Sequence, residues 1–287
     1  MKRIVLKPYG GLANRLFAIE SAVRLKAEFN CDLKIIWESN RNLGGPFESL
    51  FEPSTEFEIV TTEVFKWHKL KSYFSVYNVF DPSHYKYPLL NRLLGQEKKC
   101  EVIYYNDPNK KIVFDLDRDR LDLVSSLYLP AHDQFIQAEE LCYQPLPNKS
   151  LQSRIDAITS DFTKHTIGVH IRRTDHSNAI RNSDDSIFIS IMDQLREKGN
   201  AFYLATDNLQ LKDRLQKRYG VQLITQIIRS TDRQKMEALE DAVVDLFCLS
   251  KTSQILGSFE SSFSKYAACL RNIPLKLAID DVESSSS

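Results

Sequence analysis

Short apolar runs alternate with segments of helical periodicity through the second half of the sequence. The apolar runs lie at residues 166–171, 201–205, 221–225, 254–257 and 275–279, and the helical patterns at 186–198, 208–219, 233–250 and 261–271. Strict alternation favours a parallel sheet with helices on both faces, because parallel strands need crossover connections. Such sheets bind ligands beyond the carboxyl ends of their strands. The pattern therefore predicts an α/β fold and the edge at which a ligand binds.

The N-terminal segment has the same organisation on a smaller scale. An apolar strand at 4–6 precedes Gly10 and Gly11, and a second apolar run occupies 32–37. Between them a helical stripe is formed by Leu12, Leu16, Ile19 and Val23. A strand, glycine loop, helix and strand in this order predict a right-handed βαβ crossover.

Chain length and one proline-containing segment indicate two domains. The 287 residues suffice for two domains of about 100 to 150 residues. Residues 144–150 place two prolines among polar neighbours, which is typical of a linker without regular structure. We therefore predict domains at 1–150 and 151–287. Between 40 and 145 the sequence predicts only a strand at 102–105.

Composition excludes several classes of protein. The 38 basic residues equal the 38 acidic ones, so no overall field would hold the chain on nucleic acid or an anionic membrane. The five scattered cysteines have no zinc-ligand spacing and are typical of free thiols in a reducing compartment. No apolar run has the length of a transmembrane helix or a signal peptide. We expect a cytoplasmic protein without a transmembrane segment or a nucleic-acid partner.

Two adjacent arginines follow the run at 166–171. His170, Arg172 and Arg173 lie in the sequence His-Ile-Arg-Arg-Thr-Asp, where a parallel sheet places its ligand. Guanidinium groups form bidentate, charge-assisted hydrogen bonds to phosphate oxygens, so the pair suits a diphosphate leaving group. The alternative is a surface ion pair between one arginine and Asp175.

Serines and glycines at two other turns are compatible with an anion. Ser261 and Ser262 open a helix after the run at 254–257, where hydroxyl and backbone N–H groups can bind phosphate. Ordinary capping of that helix is an equally good interpretation. The pair Gly10 and Gly11 permits close approach of a ligand but matches neither a P-loop nor a dinucleotide fingerprint.

Isolated carboxylates carry weaker signals. The simplest interpretation of Asp207 is a helix cap, and that of Asp245 is a position on the solvated face of a helix. Asp115, Asp117 and Asp119 form two overlapping D-x-D patterns, which can hold Mg²⁺ on a nucleotide, although solvated surface is the favoured interpretation. We therefore predict no metal site.

In combination these segments resemble a known superfamily. The resemblance is to the α1,2-, α1,6- and protein O-fucosyltransferases, and it rests on the order and spacing of Gly10–Leu16, His170–Asp175, Ala205–Asp207, Asp245 and Ser261–Ser264. It covers about the first 50 residues and most of 165–270. It implies a GT-B-like fold of two Rossmann-like domains facing a cleft, GDP-fucose as donor, inversion at the sugar carbon and no metal or other cofactor.

The resemblance also implies roles for individual residues. His170 and Asp245 would contact guanine, Arg172 and Ser262 would hold the β-phosphate, and Arg173 matches an arginine required for activity. The predicted donor-binding set is completed by Asp207, Ser261, Gly10 and Gly11.

The general base is less well defined by the resemblance. The α1,6 members have a glutamate after the arginine pair, but at that spacing this chain has Ile180. Counting back from Phe188 reaches Asp185, with Asp184 beside it. Asn14 matches an asparagine that reaches the donor across the cleft. The predicted catalytic residues are Arg173, Asp185, Asp184 and Asn14.

These predictions converge on transfer of fucose from GDP-fucose to a hydroxyl group of a glycan or other acceptor. The donor would bind to residues 151–287 and the acceptor mainly to residues 1–150. Two alternatives remain: a GT-B transferase that uses another nucleotide sugar, and a non-catalytic module that binds a nucleotide or a glycan.

Overall fold

The computed structural model describes residues 3–40, 43–60, 126–138, 140–173 and 183–279. The chain divides into two compact units. Unit 1 comprises Met1–Asn42, Pro46–Glu48 and Pro53–Pro145, and unit 2 comprises Leu43–Gly45, Ser49–Glu52 and Leu146–Ser287. The predicted strand at 102–105, the three aspartates of the D-x-D patterns, Asp175 and Ile180 lie outside the described residues.

Unit 1 contains a four-stranded parallel sheet in the order β3-β2-β1-β4. Its strands are β1 (Arg3–Pro8), β2 (Asp32–Ile36), β3 (Glu58–Val60) and β4 (Ser126–Ala131). Helix α1 (Leu12–Phe29) connects β1 to β2, which confirms the predicted βαβ unit. The helix ends where Asn30 adopts a left-handed conformation, with φ of 45°.

Helix α1 is buried around most of its circumference. Twelve of its 18 residues are buried, including the whole predicted stripe of Leu12, Leu16, Ile19 and Val23. The buried set also contains the polar residues Arg15, Glu20 and Ser21, none of which has any exposed surface. Each of the three makes hydrogen bonds inside unit 1: Arg15 to the carbonyls of Gly10 and Glu38, and Glu20 and Ser21 to backbone N–H groups of the segment after β4.

Unit 2 contains a five-stranded parallel sheet in the order β7-β6-β5-β8-β9. Its strands are β5 (Thr166–Ile171), β6 (Ala201–Thr206), β7 (Leu223–Ile224), β8 (Ile255–Gly257) and β9 (Leu275–Leu277). Its helices are α2 (Lys149–Thr159), α3 (Asp185–Glu197), α4 (Leu209–Tyr219), α5 (Met236–Ser250) and α6 (Ser262–Cys269). The strands run outward from β5 to β7 and then return to β8 on the other side of β5. The strand order therefore reverses between β5 and β8, where open α/β sheets bind their ligands.

The core of unit 2 is centred on β5. All six residues of β5 are buried, and Ile167, Val169 and Ile171 pack into one apolar cluster with Phe188 and Met192 of α3. Burial of each large apolar side chain contributes about 1.5–3 kcal/mol. This packing fixes the carboxyl end of β5, from which the arginine pair follows.

Two sequence predictions in unit 2 are wrong in part. The predicted strand at 221–225 is shortened to Leu223–Ile224, because Gly220 to Gln222 form a 3₁₀ turn that leaves Val221 fully exposed. The predicted irregular segment at 144–150 contains the start of α2, since the Asn148 side chain accepts a hydrogen bond from the Leu151 N–H at 3.0 Å and caps the helix. Its Pro147 also forms an isolated bridge with Phe51.

Among the described residues no helix combines the length and the apolar character needed to cross a membrane.

Candidate functional site

The carboxyl ends of β5, β6 and β8 are joined by short polar side chains. The buried Ser258 hydroxyl accepts a hydrogen bond from the Arg172 backbone N–H at 3.0 Å and donates one to the His170 carbonyl at 3.2 Å. Asp207, which follows β6, accepts one from the Arg173 N–H at 2.7 Å. The segment after β5 is therefore attached on both sides, and the backbone of the arginine pair is held in place.

The Arg173 side chain is enclosed and multiply bonded. Its Nε donates to Asp185 Oδ1 at 2.8 Å, Nη1 to the Arg172 carbonyl at 2.9 Å and Nη2 to the Ser183 carbonyl at 2.7 Å. Only 10% of the side chain is exposed, and the guanidinium lies 5.7 Å from the Phe188 ring centre. Arg173 is thus a fixed positive charge at the carboxyl end of β5, and its carboxylate partner in the described residues is Asp185.

The two aspartates predicted as possible bases open α3. Asp184 is the N-cap, accepts from the Ser186 N–H at 2.8 Å, and has a lowered pKa mainly because of hydrogen bonds from Ser186. Asp185 pairs through one oxygen with Arg173 and through the other with Arg214. Both carboxylates therefore have structural contacts, and the assignment of either as a base stays a prediction.

His170 is a buried, neutral imidazole. Its Nδ1 lies 2.7 Å from Ser264 Oγ and 3.4 Å from Ser261 Oγ, and its ring centre lies 4.8 Å from that of Phe263. Burial, helped by the nearby charge of Arg172, lowers the pKa of His170 to about 3. The ring therefore acts as a hydrogen-bonding group and an apolar surface rather than as a cation.

The serine-rich turn joins His170 to α6. Ser261 is the N-cap of α6 and accepts from the Ser264 N–H at 3.4 Å, so the capping interpretation is confirmed for this residue. Ser262 is the first residue of the helix. Ser261 and Ser264 both contact His170, and Asp207 contacts Arg173. The structure therefore brings together three of the predicted donor-site segments: the end of β5 with the arginine pair, Asp207 after β6, and the start of α6.

The interpretation of Asp245 as a residue on a solvated helix face is wrong. Asp245 lies in α5. It accepts a hydrogen bond at 2.6 Å from the hydroxyl of Tyr203, which is in the middle of β6. Burial of its carboxyl group raises the pKa of Asp245 to about 7, and hydrogen bonds from Tyr203 and Gln226 partly oppose that shift.

Unit 1 has its own polar cluster at the carboxyl edge of its sheet. Gly10 has φ of +89°, and a Cβ atom there would lie 2.6 Å from Cδ2 of His132. The Asn14 amide Nδ2 lies 2.7 Å from His132 Nε2. Gly11 has open space around it. The structure thus brings the predicted Gly10 and Asn14 together with His132, which sequence analysis missed because β4, the strand before it, carried no recognised pattern.

Buried Arg15 holds the glycine turn in place. Its Nε donates to the Gly10 carbonyl at 3.1 Å and its Nη1 to the Glu38 carbonyl at 2.7 Å. Its guanidinium lies 4.9 Å from the Trp37 ring centre, and burial lowers the pKa of Arg15 to about 10. The sequence signal for this role was the arginine directly after Asn14 in the glycine segment.

In the ranges that the structure describes, no group of three or more His, Cys, Asp or Glu residues is arranged to hold a metal ion. The aspartates at 115, 117 and 119 are not in those ranges.

Comparisons with known proteins identify the fold. No protein-family profile matches the chain, and no curated protein sequence is significantly similar to it. Solved structures are similar over nearly the whole chain. The α1,6-fucosyltransferase NodZ soaked with GDP-fucose is 18% identical with a TM-score of 0.59, over 94% of this chain and 93% of its own. NodZ from Bradyrhizobium is 18% identical with a TM-score of 0.60, over 93% of each chain.

A second group of similar structures is formed by POFUT1. Its complex with GDP-fucose is 14% identical with a TM-score of 0.57, over 96% of this chain and 98% of its own. The chain therefore has the GT-B-like α/β fold of these fucosyltransferases, which confirms the predicted fold class.

Proposed function

We propose that this protein is a glycosyltransferase that moves fucose from GDP-fucose to a hydroxyl group of an acceptor. The observation that carries the proposal is the enclosed Arg173, held next to Arg172 at the strand-order reversal of unit 2. The fold supports it, because structures with the same fold were solved with GDP-fucose.

The arginine pair provides the charge that the reaction needs. When the bond between the sugar carbon and the diphosphate breaks, negative charge develops on the phosphate oxygens. Preorganised donors that meet this charge lower the barrier more than they improve binding. Arg172 and Ser262 are assigned to the β-phosphate, and Arg173, already fixed by three hydrogen bonds, supports them with a charge that needs no reorganisation.

The nucleotide base is assigned to the segment around His170. A neutral imidazole can donate or accept one hydrogen bond according to its tautomer, and its contact with Ser264 orients the ring. Asp245 is proposed as the group that accepts from the N–H edge of guanine, as the resemblance implies. Asp207, Ser261, Gly10 and Gly11 complete the proposed donor site.

We also propose that the reaction inverts the sugar carbon and needs no metal. The two guanidinium groups provide positive charge next to the diphosphate, which is the task a divalent cation performs in many nucleotide-sugar enzymes. In this proposal the donor binds to unit 2, and the acceptor, a glycan or another hydroxyl compound, binds mainly to unit 1.

A reducing compartment is supported by the cysteines. In the described residues Cys31, Cys142 and Cys248 are free thiols, and burial raises the pKa of Cys248 to about 12. Thiols of this kind are inert and persist where disulfides do not form. We propose a cytoplasmic location.

One set of measurements tests the proposed function. GDP-fucose, GDP-mannose and UDP-glucose are titrated by calorimetry, and release of GDP from the preferred donor is followed with and without EDTA. We expect preference for GDP-fucose, turnover in EDTA, and inversion of the product anomer in NMR spectra. Preference for another donor would establish the alternative transferase, and binding without turnover would establish the non-catalytic module.

A further inference from the structure

Tyr203 is a buried polar side chain in the middle of β6. It has no exposed surface, and its hydroxyl donates a hydrogen bond of 2.6 Å to Oδ1 of Asp245. Phe202 and Leu204, on either side of it, belong to the apolar cluster that contains residues of α3. Because side chains alternate between the two faces of a strand, Tyr203 projects from the other face of the sheet. On that face α5 brings the Asp245 carboxyl group to the tyrosine hydroxyl.

His170 projects from the same face of the sheet as Tyr203. Its two neighbours in β5 also belong to the apolar cluster with α3, so the imidazole points the other way. The register pairs His170 with Ala205, which is two residues after Tyr203 and therefore on the same face. The two residues assigned to guanine thus lie over one face of the sheet, His170 as part of β5 and Asp245 through its bond to Tyr203.

The Asp245 carboxyl group is held by the protein but keeps capacity for a ligand. Tyr203 donates to Oδ1, and a hydrogen bond from the Gln226 amide adds to this contact. Unlike Tyr203, Asp245 keeps part of its surface exposed. A carboxylate has about four lone-pair sites, so acceptor sites remain after both contacts are made. Guanine presents its N1–H and its amino group side by side, and two adjacent donors of this kind match one carboxylate.

The charge state of Asp245 depends on several elements around it. The titratable and charged groups that face it are Tyr203 of β6, Asp241 and Cys248 of α5, Lys212 of α4, Arg154 of α2 and Arg229 after β7. Both arginines are paired with Asp241, and the Lys212 ammonium donates to the Gln226 carbonyl at 2.7 Å. These cations are thus directed at other acceptors, and Asp245 relies on the neutral Tyr203 hydroxyl.

The contact with Tyr203 favours the ionised form of Asp245. Burial raises the pKa of Asp245 to about 7, and the bond from Tyr203 opposes that shift, because a hydroxyl donates more strongly to a charged oxygen than to a neutral one. A protonated carboxyl group presents an O–H where guanine presents N–H groups. The ionised form instead offers acceptors to both donors of the base.

We propose that Tyr203 is a positioning residue for recognition of the guanine base of the donor. The inference rests on the proposed function, in which Asp245 accepts from the N–H edge of guanine. The Tyr203 hydroxyl holds Oδ1 of Asp245 in place and favours the ionised carboxylate, so the base meets a fixed acceptor. Where Asp245 carries a proton, that proton passes to solvent as GDP binds.

The test compares two buried tyrosines of unit 2. Tyr203→Phe keeps the aromatic ring and removes the hydroxyl. Tyr219→Phe is the matched control, because Tyr219 is 2% exposed and its hydroxyl donates to Asp193 at 3.0 Å. GDP and ADP are titrated by calorimetry at pH 6 and pH 8, and melting curves are recorded for each protein. The phosphates of the ligand titrate in the same range, but their contribution cancels when a variant is compared with wild type at one pH.

We expect Tyr203→Phe to weaken GDP binding about 10-fold at pH 6, in line with loss of a hydrogen bond to a charged group. The deficit should be smaller at pH 8, because the higher pH ionises Asp245 without help from the hydroxyl. ADP, which has no N1–H, should bind to the variant and to wild type equally. Tyr219→Phe should keep the wild-type GDP affinity at both pH values. In an Asp245→Asn background, Tyr203→Phe should have little further effect on GDP binding.

Wild-type GDP affinity in Tyr203→Phe at pH 6 would overturn the proposal and leave the proposed function intact. So would a deficit that is equal for GDP and ADP or equal at both pH values, which is the result of a general structural defect. Additive effects of Tyr203→Phe and Asp245→Asn, or loss of the melting transition in Tyr203→Phe, would overturn it too, since the hydroxyl would then serve the fold. If the wild-type protein bound no guanine nucleotide, the proposed function would fail, and the role of Tyr203 with it.

Discussion

The Nε atom of Arg173 donates a hydrogen bond of 2.8 Å to Oδ1 of Asp185. The side chains are 10% and 31% exposed, respectively, so the pair lies at the boundary between the core of unit 2 and solvent. Asp185 is the first residue of α3 and Arg173 follows β5. The bond therefore ties the strand end that carries the arginine pair to a helix of the core, and it orients the guanidinium before any ligand binds.

Arg173→Ala should reduce both turnover and stability. By analogy with removal of one oxyanion donor, we expect kcat to fall about 10²- to 10³-fold. Loss of the donor to the carbonyl of buried Ser183 should lower the free energy of unfolding by about 1–3 kcal/mol. Urea unfolding and initial rates on the same preparation measure the two effects.

Arg173→Lys should recover only part of the rate, since lysine lacks the planar guanidinium fork. A destabilised variant with full turnover per folded molecule would remove Arg173 from the catalytic residues.

Asp185→Asn distinguishes a positioning role from a role as base. If Asp185 orients Arg173, loss of its charge should reduce kcat roughly tenfold, in line with loss of one charged hydrogen bond, whereas loss of a base would cost about 10²- to 10⁴-fold. Arg214→Ala is the control, because it removes the other partner, whose side chain is 56% exposed, and exposed pairs contribute about 0–1 kcal/mol. A decrease in kcat of a thousandfold or more in Asp185→Asn would assign the base to Asp185.

Because the pKa of His170 is lowered, the free energy of unfolding should decrease as the pH is lowered. The folded pKa is about 3, whereas an unfolded histidine titrates near its ordinary pKa of about 6.5. Between these values the unfolded state binds a proton that the folded state does not, so stability falls as the pH is lowered. His170→Asn should remove this contribution. Melting curves at pH 7 and pH 5 check it, and the wild-type protein should lose more than the variant on acidification. Equal losses would show that His170 is protonated in the fold.

The raised pKa of Asp245 should make the free energy of unfolding decrease as the pH rises, which is opposite to the effect of His170. The folded pKa is about 7, above the ordinary aspartate value of about 3.9, so between these values the folded state holds a proton that the unfolded state has released. Stability therefore falls as the pH rises through this range, by up to about 1.4 kcal/mol per pH unit. Asp245→Asn has no such proton to lose, and its stability relative to wild type should increase from pH 5 to pH 8. A difference that is constant with pH would contradict the raised pKa of Asp245.

Gly10→Ala should be far more harmful than Gly11→Ala. At Gly10 a Cβ atom meets the His132 ring at 2.6 Å and φ is +89°, whereas nothing lies within 4 Å of a Cβ at Gly11. Strain at such a position costs of the order of 1–3 kcal/mol. Urea unfolding of both variants provides the comparison. Equal stabilities would mean that the turn relaxes, and that the approach of His132 to the backbone is not needed for the fold.

Local patterns in the sequence were sufficient for the elements around the arginine pair. The apolar run at 166–171 became β5 with the same bounds, and the stripe of α1 became buried. The reason is that a regular element is recognised by the spacing of its own apolar residues. The same reasoning placed the arginine pair at a strand end, because that prediction requires only the carboxyl end of β5 to be located.

Contacts between distant parts of the chain were decided by the tertiary structure. Asn14 meets His132 across 118 residues, and Tyr203 meets Asp245 across 42. No local periodicity predicts these pairs, because they depend on which strands become neighbours and on how closely a helix packs against them. The sequence by itself therefore determined where the arginine pair would lie. The burial that raises the pKa of Asp245, the partner that fixes Arg173 and the placement of His132 beside Gly10 arose only when the chain was packed.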